Sequence, residues 1–552
     1  MSSTSVLIVG AGPVGLTAAV ELRRRGVGCR VVDRLAAPIR YAKAVGVQPR
    51  TLELWESAGV LWRALDAGTP MRGQVVYVDG QHSARVDLAL PPEVPYGFLA
   101  LPQYETERVL AERLGELGGR IERGVELVGF EQDADGVTGL LRGTEGETEV
   151  RADYLLGCDG AHSVVRKGFG ATFAGDAFPE QYMLGDVEVD WHQPAGYSIR
   201  CTRRVDGGPD DLLVAIPLPG RRRYRVSMLV PDELTAAHTP GTVEHGFEAG
   251  PKPELHHLQA VLDRLAPEPT RASNLRWSSI FRISHRIVDT YGRGRVFLAG
   301  DAAHIHPPTG AQGMNTGIQD AVALAWRLAL AVRDIAAPGL LDTYDAERRP
   351  IGEEVVRRTV RHARAGYEAE DPATVMLREA QLLVAYPDST LNGEGARVEA
   401  LKGGPFPGDR APDCRELRRS GVAFPLRLHE LLSGLRPALL CYVDDSDQLS
   451  ELAVAAVAAR MAACDQLDVV LVFASTAAVP DEVADAPLDG SPAAVVWDAA
   501  GEFQAAYGAV GGCCHLVRPD HYVSFRAGRA HPDELVAHLA LLITPPRRPR
   551  GT

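Results

Sequence analysis

A glycine turn near the N-terminus constrains the fold of this chain more than any other feature. It follows a short apolar strand pattern and opens a helical one, and its residues are Gly10, Gly12, Pro13, Val14 and Gly15. The first glycine permits a tight turn, the second lets a pyrophosphate approach the backbone, and the third lets helix and strand pack closely. Because a helix N-terminus carries about half a positive charge, the turn suits a phosphate. The motif therefore predicts a dinucleotide-binding βαβ unit.

An acidic residue at the end of the second strand completes this unit. Asp33, followed by Arg34, stands eighteen residues after Gly15, where a carboxylate can bind a ribose hydroxyl. We expect both residues to line the dinucleotide. The unit by itself does not decide which dinucleotide is bound.

Length and composition indicate a large, acidic globular protein. A chain of 552 residues suggests roughly two to four domains. The formal charge of -14 argues against a nucleic-acid partner, and no run approaches the roughly 18 apolar residues of a membrane span. The eight cysteines include no C-x-x-C pair, and no signal-type segment precedes the first strand, so we expect a reducing, cytoplasmic location.

Patterning along the chain predicts layers of helix and sheet. Strand patterns separated by Asp/Gly turns fill residues 120–160, and alternation from about 180 to 285 predicts an antiparallel sheet. A long helix is expected from about Thr316 to Arg333. The Gly- and Pro-rich stretch Gly403–Pro412 is typical of a linker, and an α/β segment follows it.

Two further glycine motifs follow apolar strand patterns. The first is Gly157-Cys158-Asp159-Gly160-Ala161-His162-Ser163. The second begins with Gly300-Asp301 and continues into a Pro/Gly loop that includes Pro308, Gly310, Gly313, Met314 and Asn315. With the N-terminal unit, these motifs resemble the class A flavoprotein monooxygenases, the aromatic hydroxylases typified by p-hydroxybenzoate hydroxylase. The three motifs occur in the family's order and spacing over about residues 5–350, and the longer members resemble this chain most.

The resemblance implies an α/β fold in which a Rossmann-like FAD-binding domain carries an inserted antiparallel substrate sheet, followed by a C-terminal thioredoxin-like domain. The expected boundaries are 1–178 and 286–400 for the FAD-binding domain with its helices, 179–285 for the substrate sheet, 401–545 for the thioredoxin-like domain and 546–552 for the tail. The longer members include phenol and resorcinol hydroxylases and enzymes that tailor aromatic polyketides, which suggests secondary-metabolite or antibiotic biosynthesis.

The resemblance also assigns roles to residues. Asp301 is expected to accept a hydrogen bond from the FAD ribityl chain. The following loop, up to Asn315, is expected to present backbone N–H groups to the flavin edge that becomes negative on reduction. Gln103 and Arg50 match segments near the flavin in the family, and the Asp159 motif serves both FAD and the pyridine nucleotide.

The reaction implied by the family uses FAD, NADPH or NADH, and O2. Hydride reduces the flavin, a flavin C4a-hydroperoxide forms, and an electron-rich carbon of a phenolic or polycyclic aromatic substrate attacks its distal oxygen. The protein keeps water away from this intermediate. A base that ionises a phenol would help, but the sequence identifies no catalytic residue.

Other functions remain open on the same fold. Baeyer–Villiger insertion or epoxidation would keep the cofactor chemistry, whereas an FAD-dependent dehydrogenase or a flavin-binding protein that only sequesters its ligand would not insert oxygen. The loop from Gly300 to Asn315 favours a monooxygenase. The chain is expected to be a monomer or a homodimer.

Several residues have plainer interpretations than their chemistry suggests. His304 and His306 form an H-x-H pair, but with no third ligand cluster we expect hydrogen bonding and no metal site. Without C-x-x-C, the C-terminal segment is not expected to act in redox chemistry, and Cys513 and Cys514 are expected to be buried thiols. At His521 this extension commonly has glycine, so the turn there is expected to differ.

Overall fold

A mostly parallel sheet carries the glycine motifs. The computed structural model describes residues 2–40, 44–206, 210–235, 246–247, 252–365, 371–475 and 494–545. Strand Ser2–Val9, helix Pro13–Arg24 and strand Cys29–Asp33 confirm the predicted βαβ unit. The sheet order is Gly292–Arg293, Val296–Leu298, Gly146–Gly157, Ser2–Val9, Cys29–Asp33 and Ile121–Arg123, with Val137–Gly143 and Glu126–Gln132 added antiparallel to Gly146–Gly157.

Helices cover this sheet and bury its apolar side chains. Helix Gln312–Val332 contains the predicted long helix and begins four residues earlier than expected. Nearly all its residues are buried, including Ile318, Leu324 and Leu328, because it lies against the sheet and helix Pro13–Arg24. The other helices of this part of the chain are Pro49–Ala58, Leu61–Ala67, Gln103–Glu116, Val164–Gly168, Asp342–Ala365 and Pro372–Glu379.

A second, nine-stranded sheet occupies the middle of the chain. Its order is Gly246–Phe247, Arg271–Val288, Phe173–Asp190, Arg223–Leu229, Asp211–Pro217, Tyr197–Arg203, Gly73–Val78 and Gln81–Asp87, with His304–Ile305 paired to Arg271–Val288. All pairings are antiparallel except that of Tyr197–Arg203 with Gly73–Val78. Two strands of this sheet therefore come from residues 73–87, which precede the segment from about 180 to 285 whose alternation predicted the sheet. A small separate sheet joins Gly46–Val47, Leu99–Ala100 and Thr69–Pro70.

One helix interrupts the region for which the sequence predicted mainly strands. Helix Leu255–Leu265 has its apolar residues at helical spacing, and Leu258, Val261 and Leu262 pack on one face of the second sheet.

The C-terminal part forms a seven-stranded sheet with helices on it. Its order is Gly393–Glu394, Val523–Ala527, Cys514–Val517, Ala438–Val443, Asp468–Ala474, Ala494–Asp498 and Leu417–Arg418. The strands at 438, 468 and 494 are parallel and the one at 514 is antiparallel to its neighbour. Within the described residues, its helices are Leu428–Leu431, Leu449–Ala462, Glu502–Tyr507 and Pro532–Leu539.

The predicted linker is a packed segment. The backbone N–H groups of Gly408 and Ala411 donate to the carbonyls of Val523 and His521, and Arg410 pairs with the buried Glu53 of helix Pro49–Ala58. The glycines and prolines here let the chain follow a tight path between helix Pro49–Ala58 and the C-terminal sheet. Among the described helices, none is long and apolar enough to cross a membrane.

Candidate active site

Three parallel strands end at the same level and bring the three glycine motifs together. Val9 lies opposite Gly157 in the sheet register, and Gly157 lies opposite Leu298. The turn at Gly10, the Asp159 segment and the Gly300 turn therefore follow side by side. In open α/β sheets, ligands bind at the carboxyl ends of parallel strands, so this edge is the candidate cofactor site.

The first turn leaves room for a ligand where a pyrophosphate is expected. Gly10 has a φ of +103°, and a Cβ there would lie 2.3 Å from the Cys158 carbonyl oxygen; a Cβ on Gly15 would lie 2.0 Å from the Gly10 oxygen. No described atom lies within 4 Å of a Cβ built on Gly12, the N-cap residue of helix Pro13–Arg24. Two glycines thus allow close packing, and the third faces open space at a helix N-terminus, which fits a bound pyrophosphate.

Asp33 lies beside this turn. Its Oδ2 accepts from the Ala11 N–H (2.7 Å) and lies 3.5 Å from the Arg123 guanidinium, while Oδ1 accepts from the Leu35 N–H. Asp33 therefore helps to hold the glycine turn as well as standing where a ribose is expected. Arg34 is exposed at the end of the same strand.

Gln103 holds the segment that precedes strand Gly46–Val47. Its side-chain oxygen accepts from the Ala44 N–H (3.2 Å) and its amide donates to Glu107 (2.9 Å). Burial and, to a smaller extent, the nearby Asp33 raise the pKa of the Glu107 carboxyl to about 7, against the lowering effects of Gln103 and Arg123. Residues 41–43 lie outside the described part of the chain.

Asp159 turns the second motif into a helix start. Its Oδ2 accepts from the N–H groups of Val164 (2.7 Å) and Val165 (3.2 Å), and Ser163 caps the same helix. Its Oδ1 is buried and has no hydrogen-bond partner among the described residues. Burial raises the pKa of this carboxyl. A buried oxygen without a donor at this sheet edge fits a ligand hydroxyl that donates to it.

The third motif winds back against the first. Gly300 has a φ of +61°, and a Cβ there would lie 2.8 Å from Val14 of the first helix. Asp301 is half-buried at the start of a short turn. Further on, Gly310 and Ala311 both adopt left-handed backbone (φ +71° and +54°) and lead into helix Gln312–Val332. Pro308 is exposed beside them. The N–H groups of Gly313 and Met314 belong to the first turn of that helix. The N-cap residue, Ala311, has no side-chain oxygen that could accept from them.

The Asn315 side chain locks three segments together. Its Oδ1 accepts from the Gln48 N–H (2.9 Å) and the Thr51 hydroxyl (2.8 Å), and its Nδ2 donates to the carbonyls of Gly46 and Ala311. The sequence assigned Asn315 through its backbone position, whereas the structure shows that the side chain fixes the loop to strand Gly46–Val47.

The Arg50 guanidinium is directed to the C-terminal part of the chain. It donates to Glu53 (3.0 Å) and to the Asp520 carbonyl (2.7 Å), and the residue is buried. Its helix, Pro49–Ala58, follows directly on the Gln48 that Asn315 holds. The backbone near Arg50 therefore adjoins the Pro/Gly loop, while the Arg50 guanidinium contacts the C-terminal part of the chain.

A buried charge network supports the Gly300 turn from behind. Asp320 Oδ2 accepts from the Gly300 N–H (3.1 Å) and lies 2.9 Å from His304 Nε2, while its Oδ1 lies 2.8 Å from Arg348. Burial opposes the ionised form of Asp320, but Arg348 and His304 outweigh it and lower the pKa of its carboxyl. His304 thus takes part in hydrogen bonding. Among the described residues, no three His, Cys, Asp or Glu side chains form a cluster that could hold a metal.

One face of the second sheet carries aromatic and charged residues. Tyr182 and Phe281 are opposite each other, with ring centres 5.6 Å apart. Asp186 and Arg225 form a buried ion pair (2.5 Å), with Arg225 over the Trp277 ring. Tyr224, by contrast, points to the other face and packs in the core against Trp191.

Sequence reasoning missed a cluster of buried polar side chains beside the Pro/Gly loop. Gln312 donates to the Glu379 carboxylate (3.0 Å), and Gln381 donates to Gln312 (2.7 Å). Gln48 donates to the Gly310 carbonyl, and Gln319 donates to Gln381. These residues are up to about 330 positions apart, and no local pattern links them.

Comparisons with known proteins identify the family. The FAD binding domain family matches residues 3–359. A flavin-dependent monooxygenase from Mycobacteroides abscessus is 33% identical over 463 residues, covering 82% of this chain and 91% of the relative. Pentachlorophenol 4-monooxygenase from Sphingobium chlorophenolicum is 30% identical and covers 97% and 96% of the two chains. The solved structure of the anhydrotetracycline hydroxylase OxyS from Streptomyces rimosus has a TM-score of 0.71 at 30% identity, over 99% of this chain and 100% of that chain.

The chain belongs to the FAD binding domain family, and the resemblance to flavoprotein monooxygenases is confirmed. It is an FAD-dependent monooxygenase of aromatic compounds, an enzyme class that uses NAD(P)H as reductant and O2 as oxidant.

Proposed function

We propose that this enzyme hydroxylates a phenolic or polycyclic aromatic compound of the polyketide type. The observation that carries the proposal is the alignment of three strand ends, which places the three glycine motifs around one site. Relatives named for 6-methylpretetramide and anhydrotetracycline, both from Streptomyces rimosus, support this substrate class and a role in antibiotic or other secondary metabolism.

FAD would lie along the aligned strand ends. The turn shaped by Gly10 and Gly15 would hold the pyrophosphate at Gly12, Asp33 would hold the ribose, and Asp301 the ribityl chain. The bound flavin supplies oxygen activation after reduction by NADPH or NADH. The helix that starts at Gln312 directs its N-terminal N–H groups toward the loop, where they favour negative charge on a reduced ring. No cysteine or histidine stands in a recognisable attachment motif, so FAD should be released on denaturation.

The aromatic face of the second sheet is the proposed substrate surface. Ile216, on that sheet, packs with Val45, Ala100 and Leu218 beside strand Gly46–Val47. This contact brings the sheet face next to the loop that is expected to line the flavin. Tyr182 and Phe281 would flank a planar substrate, and the Asp186–Arg225 pair offers a polar contact for its oxygen substituents.

We assign residues 1–178 and 286–400 to the FAD-binding domain, 179–285 to the substrate sheet and 401–545 to a thioredoxin-like domain without redox function. Its parallel strands at 438, 468 and 494 with an antiparallel neighbour support that fold. All eight cysteines are free thiols, in keeping with a cytoplasmic location.

The test is a screen of NADPH and NADH consumption with anhydrotetracycline, pentachlorophenol and other phenols, followed by mass spectrometry of the products. One added oxygen on an aromatic carbon supports hydroxylation. Oxygen inserted next to a carbonyl, or an epoxide, would indicate the alternative oxygenations, and loss of two hydrogens would indicate a dehydrogenase.

A further inference from the structure

A buried glutamate stands at the end of a helix beside the Pro/Gly loop. Helix Pro372–Glu379 is capped at its start by the Asp371 carboxylate and ends at Glu379. The next residue, Ala380, accepts a hydrogen bond from the Arg50 N–H (3.2 Å), which fixes the helix end near the loop. A carboxylate at a helix C-terminus faces the negative end of the helix dipole, so the fold keeps Glu379 where its charge is unfavourable.

The Glu379 carboxyl lies against the loop. Its Oε2 is 3.0 Å from Gln312 Nε2 and would be 2.2 Å from a Cβ on Gly310. Glycine at 310 thus allows the carboxyl to approach the loop backbone. Gln312 is held from the other side by Gln381 (2.7 Å), so the position of the carboxyl is fixed.

The residue after Glu379 belongs to an apolar group that connects to the proposed substrate surface. Ala380 packs with Phe98 and Leu382, and Met71 lies against this group. Met71 also packs on the cluster that contains Ile216 of the second sheet. An aromatic ring between the sheet face and the loop would therefore lie near the end of helix Pro372–Glu379.

Burial favours a proton on the Glu379 carboxyl more than water does. Burial raises the pKa of Glu379, and Glu354 raises it further. Arg358 of helix Asp342–Ala365, the Gln312 hydrogen bond and Arg378 act in the opposite direction and do not cancel the effect of burial. A carboxyl whose pKa is shifted toward neutrality can exchange a proton with a substrate at working pH.

We propose that Glu379 is the catalytic base that takes the proton from a ring hydroxyl of the aromatic substrate. The phenolic O–H bond breaks and leaves its electron pair on the substrate oxygen, while a new O–H bond forms on the Glu379 carboxylate. The resulting phenolate carries more electron density at its ortho and para carbons. The step consumes no oxidant or reductant. It rests on the proposed function, since it requires a phenolic substrate.

The test compares Glu379→Gln with the control Glu353→Gln. Glu353→Gln removes a carboxylate from the neighbouring helix Asp342–Ala365, where the Glu353 side chain is 48% exposed and pairs with Arg349. Anhydrotetracycline and pentachlorophenol are the probes, and turnover is followed from about pH 6 to about pH 9. Pentachlorophenol is an acidic phenol that is already ionised over this range, so only the reaction of anhydrotetracycline should need the base. Near neutral pH, we expect kcat of Glu379→Gln to fall about 100-fold, with KM and the rate of flavin reduction by NADPH nearly unchanged. The loss should shrink as pH rises and the phenol ionises in solution, and Glu353→Gln should follow the wild-type profile.

A second measurement needs no aromatic substrate. Infrared difference spectra of the FAD-loaded protein across pH should show a protonated carboxyl band that Glu379→Gln removes and that titrates above the usual range for glutamate. Titration in the usual range would overturn the proposal. A pH-independent loss of kcat in Glu379→Gln would also overturn it, because that result indicates a structural role. A wild-type enzyme that hydroxylates neither probe nor any phenol in the screen would instead contradict the proposed function, while the infrared result would stand by itself.

Discussion

The glycine turn offers a sharp contrast between two substitutions three residues apart. Gly12 has a φ of -78° and faces open space, so alanine there requires no backbone change. A Cβ on Gly15 would lie 2.0 Å from the Gly10 carbonyl oxygen, so alanine there must displace the backbone. We therefore expect Gly12→Ala to impair FAD binding without much effect on folding, and Gly15→Ala to impair folding itself.

The size of each effect follows from what is lost. In Gly12→Ala the added methyl group holds the pyrophosphate away from the helix N-terminus. Loss of one hydrogen bond to a charged group costs about 1.5–3 kcal/mol, or roughly 10- to 150-fold in the Kd for FAD. The apoprotein should change in stability by only about 1 kcal/mol or less. Gly12→Asp, which also adds a negative charge next to the phosphates, should lose FAD almost completely.

Overpacking at Gly15 should destabilise the apoprotein by about 1–3 kcal/mol. FAD titration by fluorescence quenching and thermal melting of the apoprotein measure the two quantities separately. If Gly12→Asp protein stays fully loaded with FAD, the assignment of this turn to the pyrophosphate is wrong. If Gly15→Ala melts like the wild type, the packing argument fails.

Four further outcomes can be checked on the same protein. Cys513→Ser combined with Cys514→Ser should leave turnover near wild type, because both thiols are buried and burial raises the pKa of Cys513 to about 12; a large loss at unchanged stability would reveal a redox role. Arg518→Met should lower the free energy of unfolding by about 3–5 kcal/mol, since it removes a charged partner from two buried carboxylates. Arg529→Met, which breaks an exposed pair, should change it little, and equal losses in denaturant melts would contradict this. Burial lowers the pKa of His515 from its ordinary 6.5 to about 3, so between these pH values the unfolded chain binds a proton that the folded chain does not. The free energy of unfolding should therefore fall as pH drops from about 6.5 toward 3, by up to about 1.4 kcal/mol per pH unit. His515→Leu should flatten this slope. In stopped-flow experiments, reduction of FAD by NADPH should be faster with a true substrate bound; a rate constant unchanged by saturating substrate would rule out this control.

The parts of the site that the sequence predicted are those encoded by short local patterns. Gly10, Gly15 and Gly300 stand out because each needs a conformation or a close approach that another residue resists, and such needs leave a motif. The βαβ unit and the long buried helix are equally local, since apolar spacing alone indicates them. The register that aligns Val9, Gly157 and Leu298 follows once these strands join one parallel sheet.

The parts that could not be predicted depend on contacts between distant segments. Glu379 has no motif of its own, and its proposed role depends on its contacts with Gln312 and Gly310, about 70 residues earlier. Strand Gly73–Val78 has an ordinary pattern, and nothing local tells that it pairs in parallel with Tyr197–Arg203. A different turn was expected at His521, but the backbone there does not change in the way that the replacement of glycine suggested. This residue has a φ of +62°, so it adopts the backbone that glycine would take, and a buried histidine accepts the strain there.

The contacts of the C-terminal part explain why a domain without redox residues would be retained. Arg518 pairs with Glu347 (2.6 Å) and Asp520 (2.7 Å), all buried. The residue after Glu347 is Arg348, which binds Asp320, and Asp320 accepts from the N–H of the Gly300 turn. Two neighbouring residues on helix Asp342–Ala365 therefore join the C-terminal strand pair to the turn that precedes Asp301. Because buried charges are costly when unpaired, a shift of the C-terminal domain would disturb this chain of contacts. The C-terminal part can thus support the candidate cofactor site by holding these contacts in place.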